Sequence, residues 1–157
     1  DPDPWRFAGP LAGVLAALVS APSKWIVTVA CDSPLLPSDL VTRFRAAWAE
    51  TAETADSAAL LPPVLVAHDG TRPQPVFLGL HRAHRDSLTA FLATGRRRID
   101  AWYGTLPHRH VSFTDEPDAF ANCNTAEELA ALAEHCAASR CGGVRRDSAG
   151  AADATER

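Results

Sequence analysis

The sequence predicts an α/β domain in which helices cover both faces of a mixed β-sheet. The first observation is the run from Trp25 to Ala30, which is largely apolar, rich in β-branched residues and as long as a strand. A strand that is apolar on both faces is typical of the interior of a parallel sheet. The second observation is a pair of apolar runs at 57–67 and 72–80, joined by the turn sequence His68-Asp69-Gly70. This pattern predicts an antiparallel hairpin, and therefore a mixed sheet.

The composition indicates one ordinary folded domain. The 157 residues are 46% hydrophobic and 22% charged, with a net charge of −4, so bulk charge does not favour nucleic-acid binding. The sequence shows no apolar run of membrane-spanning length and no signal-peptide pattern. The four cysteines lack CxxC spacing, so we expect reduced thiols in a cytoplasmic protein. The chain opens at Asp1 without a methionine, and we expect it to be a fragment.

A helix is predicted at residues 9–21, where leucine and valine recur at helical spacing. Pro10 suits the first helical turn, and Pro22 blocks continuation. The entrance to this helix reads Gly-Pro-Leu-Ala-Gly over residues 9–13. Either a ligand approaches the free N–H groups at the helix N-terminus, or the glycines only permit a turn and close packing of the helix on the sheet.

Asp32 closely follows the first predicted strand and precedes a turn bracketed by Pro34 and Pro37. Open α/β sheets bind ligands at the carboxyl ends of their strands, and a carboxylate there can hold a divalent cation against phosphate oxygens. Alternatively, Asp32 only starts the turn or caps the next helix, predicted at 38–53. The apolar face of that helix comprises Leu40, Val41, Phe44, Ala47 and Trp48.

The remaining predicted elements complete the layers. The run at 57–67 contains Pro62-Pro63, which predicts an edge or irregular strand. A helix is predicted at 82–93, ended by Gly95, and a short strand at 110–113. The residues of that helix expected to face inward are Leu88, Phe91 and Leu92.

Three consecutive arginines, Arg96, Arg97 and Arg98, are predicted to open a short helix. Positive charges at a helix start oppose the helix dipole. A bound anion is therefore one explanation of the run, and a solvated basic turn is the other.

Two asparagines precede the last predicted helix. Thr125 and Glu128 match the S/T-x-x-E capping box, which predicts a helix running to about Ala138. If the preceding segment is extended, Asn122 and Asn124 project to the same side. They then form a hydrogen-bonding platform for a heterocycle or phosphate ester, or they are simply turn-forming residues beside a cap. Apolar periodicity then ends, so we expect a disordered tail at 139–157.

Five motifs occur in an order that resembles a known family. They are Gly9-Pro-Leu-Ala-Gly13, Cys31-Asp-Ser-Pro34 with Leu36-Pro37, Gln74-Pro-Val-Phe77, Gly95-Arg-Arg-Arg98 and Phe120-Ala-Asn-Cys-Asn-Thr-Ala-Glu-Glu-Leu129. Over about residues 1–135 the chain resembles the molybdenum cofactor guanylyltransferases, the MobA-type members of the nucleotidyltransferase superfamily. The first two motifs are shared with sister nucleotidyltransferases, whereas the Asn-x-Asn-Thr ending and the Gly-x-Arg-Arg element point to this family in particular.

The resemblance implies a three-layer α/β/α, Rossmann-like domain with a mixed, mostly parallel sheet. It implies transfer of GMP from GTP to molybdopterin with release of pyrophosphate, and Mg²⁺ held by Asp32, the expected catalytic and metal residue. Two polyanions must be brought together, so cations and arginines suit the site better than a nucleophile. We assign no acid–base role to the six histidines. The nucleotide-binding residues implied are Gly9, Pro10, Leu11, Gly13 and Asp32, and the molybdopterin-binding residues are Arg97, Arg98, Asn122 and Asn124.

The sequence also departs from the family pattern. The family begins with a strand and a Leu-Ala-Gly-Gly loop that cradles the triphosphate, followed by a lysine, whereas the only lysine here is Lys24. We therefore expect residues 1–138 to be the C-terminal two-thirds of the domain, without the first βα units and without the loop needed for activity. Asp1 or Asp3 is expected to match a family acid on the nucleotide side.

Two other functions remain open at this point. One is a related nucleotidyltransferase, either a CTP-using molybdopterin cytidylyltransferase or a sugar-phosphate type. The other is a non-catalytic molybdopterin-binding module. For the main hypothesis, the expected partners are a molybdopterin-delivering protein and acceptor molybdoenzymes, with neither nucleic acid nor a membrane.

Overall fold

The computed structural model describes residues 9–54, 61–116 and 118–141. The chain divides into two compact units, Asp1–Asn122 and Cys123–Arg157. In chain order the elements are α1 (Pro10–Ser20), β1 (Trp25–Thr28), α2 (Leu40–Thr54), β2 (Val64–His68), β3 (Pro73–His81), a 3₁₀ turn (Arg82–His84), α3 (Arg85–Ala93), α4 (Ile99–Tyr103), β4 (His108–Ser112) and α5 (Ala126–Cys141).

The first unit contains a mixed sheet, as predicted. Its strands lie in the order β1-β3-β2-β4. Strand β3 runs antiparallel to both of its neighbours, and β2 pairs with β4 in parallel. Among the described strands, β1, β2 and β4 therefore share one direction and β3 opposes them. The hairpin predicted around His68-Asp69-Gly70 is confirmed by the β2–β3 pairing.

Helices cover both faces of the sheet, which confirms the three-layer arrangement. Alternate residues of β2 point to opposite faces, so Val64 and Val66 belong to one core and Leu65 and Ala67 to the other. The first core contains residues of α1, α3 and α4. The second contains residues of α2 and of the segment 113–120. The sheet is thus the middle layer between two apolar cores.

Strand β1 differs from its prediction as an interior strand. It is only four residues long and lies at an edge of the described sheet, paired with β3 alone. Its first residue, Trp25, is 39% exposed, and its ring lies 4.3 Å from the Trp48 ring. Apolar composition indicated burial, but a strand with one described neighbour leaves part of its apolar surface open. Because β1 ends at Thr28, Asp32 lies in the turn beyond the strand rather than at its tip.

Strand β2 was predicted at an edge, and this was wrong. It lies between β3 and β4, and its first four residues are fully buried. Pro62 and Pro63 precede the strand instead of interrupting it, so the ladder loses no N–H donor. The N–H of Val64 donates to the Pro107 carbonyl at 2.9 Å, which starts the parallel pairing with β4.

Smaller differences concern the helices. Leu40, Phe44, Ala47 and Trp48 form the buried face of α2, but Val41 is 52% exposed. The helix α3 buries the three residues predicted and is followed by Gly95 with φ of 81°. Arg96–Arg98 precede α4 instead of forming its first turn.

The second unit contains α5, which ends at Cys141. The Glu128 N–H donates to Thr125 Oγ1 at 3.1 Å and the Thr125 N–H donates to Glu128 Oε2 at 3.2 Å, which confirms the capping box. The helix was predicted to end near Ala138 and the tail to begin at 139, which was wrong for residues 139–141, since α5 includes them. The rest of the predicted tail, 142–157, lies outside the described residues. No helix in the described part of the chain has the length and apolarity to cross a membrane.

His84 is a buried polar residue that the sequence pattern did not reveal. It is 0% exposed and lies in the turn between β3 and α3. The His81 N–H donates to His84 Nδ1 at 3.1 Å, so the ring proton is on Nε2 and donates to the Pro62 carbonyl at 2.9 Å. Burial lowers the pKa of His84 below its ordinary value of 6.5.

We expect the free energy of unfolding to fall as pH is lowered below 6.5, the ordinary histidine pKa. Below this pH the unfolded chain binds a proton at His84, while the folded chain keeps the buried ring neutral. The neutral ring therefore makes its full contribution to the free energy of unfolding above pH 6.5, and this contribution is lost progressively as the pH falls below that value. The check is urea unfolding on both sides of that pH, for the wild type and His84→Gln. The variant should show a weaker pH dependence; an unchanged dependence would contradict the assignment. Some dependence should remain, because burial also lowers the pKa values of His81 and His110.

Candidate active site

A cleft of about 810 Å³ opens in the first unit at the edge of the sheet where β1 ends. Four segments line it: the first half of α1, residues 27–32, residues 72–77 and residues 120–122. All four segments contain residues of motifs that the sequence analysis singled out separately. The fold brings them together because β1 ends and β3 begins at the same end of the sheet, measured along the strands.

Asp32 is the one carboxylate among the residues that line the cleft. Its side chain makes no hydrogen bond or ion pair with any described residue. The next residue, Ser33, is 4% exposed, and its hydroxyl donates to Asn122 Oδ1 at 3.2 Å. This bond ties the turn that carries Asp32 to the segment that carries Asn122. The structure therefore places both predicted site residues on the wall of the same cleft.

The Gly-Pro-Leu-Ala-Gly entrance of α1 contributes Pro10 and Gly13 to the cleft. Gly9 precedes the helix with φ of 61°, and a Cβ added at Gly9 or Gly13 would meet no atom of the described residues within 4 Å. These glycines therefore face open space and do not mark close packing of helix on sheet. Leu11 was predicted on the nucleotide side, but it is 0% exposed and lies in the core beneath α1. Helical geometry turns it away from the face that carries Pro10 and Gly13.

The predicted arginines do not line the cleft. Arg98 is exposed, and its Nη2 lies 2.5 Å from Asp100 Oδ2. Arg97 donates through Nη1 to the backbone carbonyls of Leu92 and Arg96, at 2.9 and 2.8 Å. The Arg82 N–H donates to the Lys24 carbonyl at 2.8 Å, next to the start of β1. The helix α3 therefore starts at the end of the strands that is opposite the cleft.

Sequence reasoning missed two polar residues of the cleft wall, Arg72 and Gln74. Arg72 is exposed and forms no ion pair with the described residues, so it supplies a free cation to the cleft that contains Asp32. Gln74 is 9% exposed and hydrogen-bonded to Asp69. The available signal was the Gln74-Pro-Val-Phe77 motif, which supported the family resemblance but had been given no role.

The remaining predicted site residues lie outside the described part of the first unit. Asn124 belongs to the second unit, where its backbone N–H donates to Glu128 Oε2 at 2.7 Å. Its side-chain role stays a prediction. Asp1 and Asp3 lie outside the described residues.

Comparisons with known proteins agree with this architecture. Residues 1–110 match the family described as MobA-like NTP transferase domain. A protein of Shewanella amazonensis named molybdenum cofactor guanylyltransferase is 44% identical over 128 residues, which are 82% of this chain and 61% of that protein. A protein of the same name from Shewanella pealeana is 42% identical, covering 82% of this chain and 60% of its own length.

A solved structure supports the fold. It is molybdopterin-guanine dinucleotide biosynthesis protein A from Archaeoglobus fulgidus, with a TM-score of 0.61 and 21% identity over 82% of this chain and 63% of that one. A helix-covered sheet with an open cleft beyond the carboxyl ends of its strands is typical of α/β domains that bind ligands at that position. Within that class, the chain belongs to the MobA-like NTP transferase domain family. It spans about three-fifths of the length of the curated relatives it matches, 61% and 60%.

Proposed function

We propose that the protein transfers GMP from GTP to the terminal phosphate of molybdopterin, releasing pyrophosphate. The main support is the cleft in which one carboxylate, Asp32, lies on a wall shared with an amide, Asn122, and with the guanidinium of Arg72, which pairs with no acid among the described residues. A site for two polyanions needs positive charge and neutral hydrogen-bonding groups, and Arg72 and Asn122 supply them. The names of the curated relatives support the same reaction.

The reaction needs no nucleophile from the protein. An oxygen of the molybdopterin phosphate attacks the α-phosphorus of GTP, and the bond from that phosphorus to the pyrophosphate oxygen breaks. Pyrophosphate leaves with the bonding electron pair, and the new phosphoanhydride joins GMP to the pterin phosphate. The chain's task is therefore to hold the two phosphates in line and to offset their charges.

The residues of the cleft fit a magnesium ion that is held mainly by substrate. No group of three or more histidine, cysteine, aspartate or glutamate side chains in the described residues can enclose a metal. Mg²⁺ characteristically uses one or two carboxylates together with substrate phosphates, and Asp32 supplies one such carboxylate. When bound, the ion neutralises phosphate charge and stabilises the displacement at phosphorus.

We assign the remaining predicted residues to two sides of the substrates. Gly9, Pro10 and Gly13 are proposed to face the nucleotide, and the open space beside the two glycines leaves room for it. Asn122, Asn124, Arg97 and Arg98 are proposed to face molybdopterin. A molybdopterin-delivering protein and acceptor molybdoenzymes are the proposed partners.

Turnover of GTP against CTP tests the proposal. The complete gene product is incubated with molybdopterin, Mg²⁺ and either nucleotide, and pyrophosphate release is measured together with the dinucleotide product. We expect turnover with GTP and little with CTP. Preference for CTP would indicate a cytidylyltransferase instead. Tight binding of molybdopterin without turnover of any nucleotide would indicate a non-catalytic binding module.

A further inference from the structure

The start of β3 is distorted where it borders the cleft. Val66 of β2 pairs with Leu78, but its neighbour Ala67 pairs with Gln74. A regular antiparallel ladder would pair Ala67 with Phe77, so residues 75–77 are extra on the β3 side. Bulges re-aim side chains and occur preferentially beside active sites. The bulged residues and Gln74 all line the cleft.

Strand β1 holds this bulge from its other side. The Thr28 hydroxyl donates to the Val76 carbonyl at 2.7 Å and accepts from the Leu78 N–H at 3.3 Å. The hydroxyl thus bonds backbone groups that flank the last bulged residue, Phe77. The distortion is therefore fixed by specific hydrogen bonds, and the wall that carries Gln74 is preorganised.

Asp69 determines which way the Gln74 amide faces. Its Oδ1 accepts the N–H groups of Thr71 and Arg72, at 2.7 and 2.8 Å. Those hydrogen bonds, led by the one from Arg72, lower the pKa of Asp69, so it is an ionised, acceptor-only group. Its Oδ2 lies 2.6 Å from Gln74 Nε2. Only the NH₂ end of the amide can donate to a carboxylate, so the carbonyl end, Oε1, is directed away from Asp69.

This leaves an acceptor without a donor on the cleft wall. Gln74 is 9% exposed, and its Oε1 has no hydrogen-bond partner within the described ranges. The neighbouring wall is apolar, formed by Val76, Phe77 and Phe120. Because Oε1 is not a fully buried atom, it is accessible from the cleft, and an acceptor held in place in such surroundings favours a ligand that brings an N–H group. A phosphate is disfavoured at this atom, because phosphate oxygens and Oε1 are both acceptors and neither would supply the proton.

We propose that Gln74 is a specificity residue whose Oε1 accepts an N–H from the exocyclic 2-amino group of a 2-amino-4-oxopyrimidine ring. This inference rests on the proposed function, in which both substrates carry that group: guanine in GTP and the pterin ring in molybdopterin. Asp69 is a positioning residue that acts through the Gln74 amide. The fixed amide recognises the heterocycle, while Arg72 and the Mg²⁺ proposed at Asp32 interact with the phosphates.

Binding measurements on Gln74→Met test this assignment. Methionine keeps the length and unbranched shape of glutamine but removes the acceptor. Calorimetry on the complete gene product compares the affinity for GTP, for ITP, which lacks the 2-amino group, and for a soluble pterin. If Gln74 reads guanine, the variant binds GTP about 10-fold or more weakly and no longer prefers GTP over ITP. If it reads the pterin, pterin affinity falls by that factor and the GTP-to-ITP ratio stays unchanged.

The matched control is Thr71→Ala, in the same turn. Thr71 is exposed and contributes its backbone N–H to Asp69, but its side chain does not line the cleft. We expect wild-type binding from this control and wild-type melting temperatures from both variants. Unchanged affinity of Gln74→Met for all three ligands would overturn the assignment, as would an equal loss for all three. A wild type that binds GTP and pterin but transfers no GMP would overturn the proposed function and leave the Gln74 result standing.

Discussion

Replacing Asp32 with asparagine is expected to lower the rate of GMP transfer by at least about 1,000-fold, which corresponds to about 4 kcal/mol of transition-state stabilisation. Asp32 is the carboxylate that the described cleft offers to a divalent cation. Asparagine keeps the shape of the side chain but removes its charge. Nothing in the described structure should be lost with that charge, because the carboxylate has no partner among those residues. The expected loss is therefore chemical and not structural.

The measurement is the initial rate of pyrophosphate release at increasing Mg²⁺ concentration, for the wild type and the variant. Asp86→Asn is the matched control, because Asp86 is a surface acid of α3 whose side chain is 82% exposed and pairs with Arg85. We expect the control to retain the wild-type rate and both proteins to melt at the wild-type temperature. An Asp32→Asn enzyme that keeps more than about a tenth of the rate would show that the metal is held elsewhere.

Local sequence patterns predicted the helices and strands well, but they predicted poorly which strands lie next to one another in the sheet. Periodicity identified α1, α2 and α3, and the His68-Asp69-Gly70 turn identified the β2–β3 hairpin. Strand order depends on pairings between distant segments, which no local pattern contains. Pro62-Pro63 therefore suggested an edge for what is a central strand, and the apolar run after Trp25 suggested an interior for what is an edge strand of the described sheet.

The dependence on pairings between distant segments also explains which residues of the candidate site were predicted from the sequence. Asp32 and Asn122 were marked by motifs, and the Ser33–Asn122 hydrogen bond brings their segments together across 89 positions of sequence. Arg72 and Gln74 were missed because a β-bulge and the Asp69 turn direct them to the cleft. The arginine run at 96–98 drew attention by its charge, yet Arg98 is paired with Asp100 two residues away. The concentration of positive charge in the sequence therefore indicated the residues of the cleft less well than the register of the sheet does.

Trp102→Ala is expected to lower the free energy of unfolding by about 3–5 kcal/mol, the range typical of a buried aromatic residue cut to alanine. Trp102 is 0% exposed in the core that joins α1, α3 and α4 to the sheet. Its indole Nε1 donates to Ser87 Oγ at 3.3 Å, and its ring meets His84 edge-on at 6.4 Å. Removing it leaves a cavity and takes away one contact with α3, at Ser87, and one with the 3₁₀ turn before it, at His84.

Urea unfolding should separate this variant from Trp25→Ala, the matched control. Trp25 is also a tryptophan in contact with a ring, but it is 39% exposed at the sheet edge, so its loss should cost far less. Equal losses would mean that the core under α4 can collapse around the missing indole.

The comparison also bears on the site, since α4 has only five residues and depends on tertiary packing to exist. If Trp102 anchors it, the alanine variant should loosen the adjoining Arg97–Arg98 loop and weaken molybdopterin use even at temperatures where the protein stays folded.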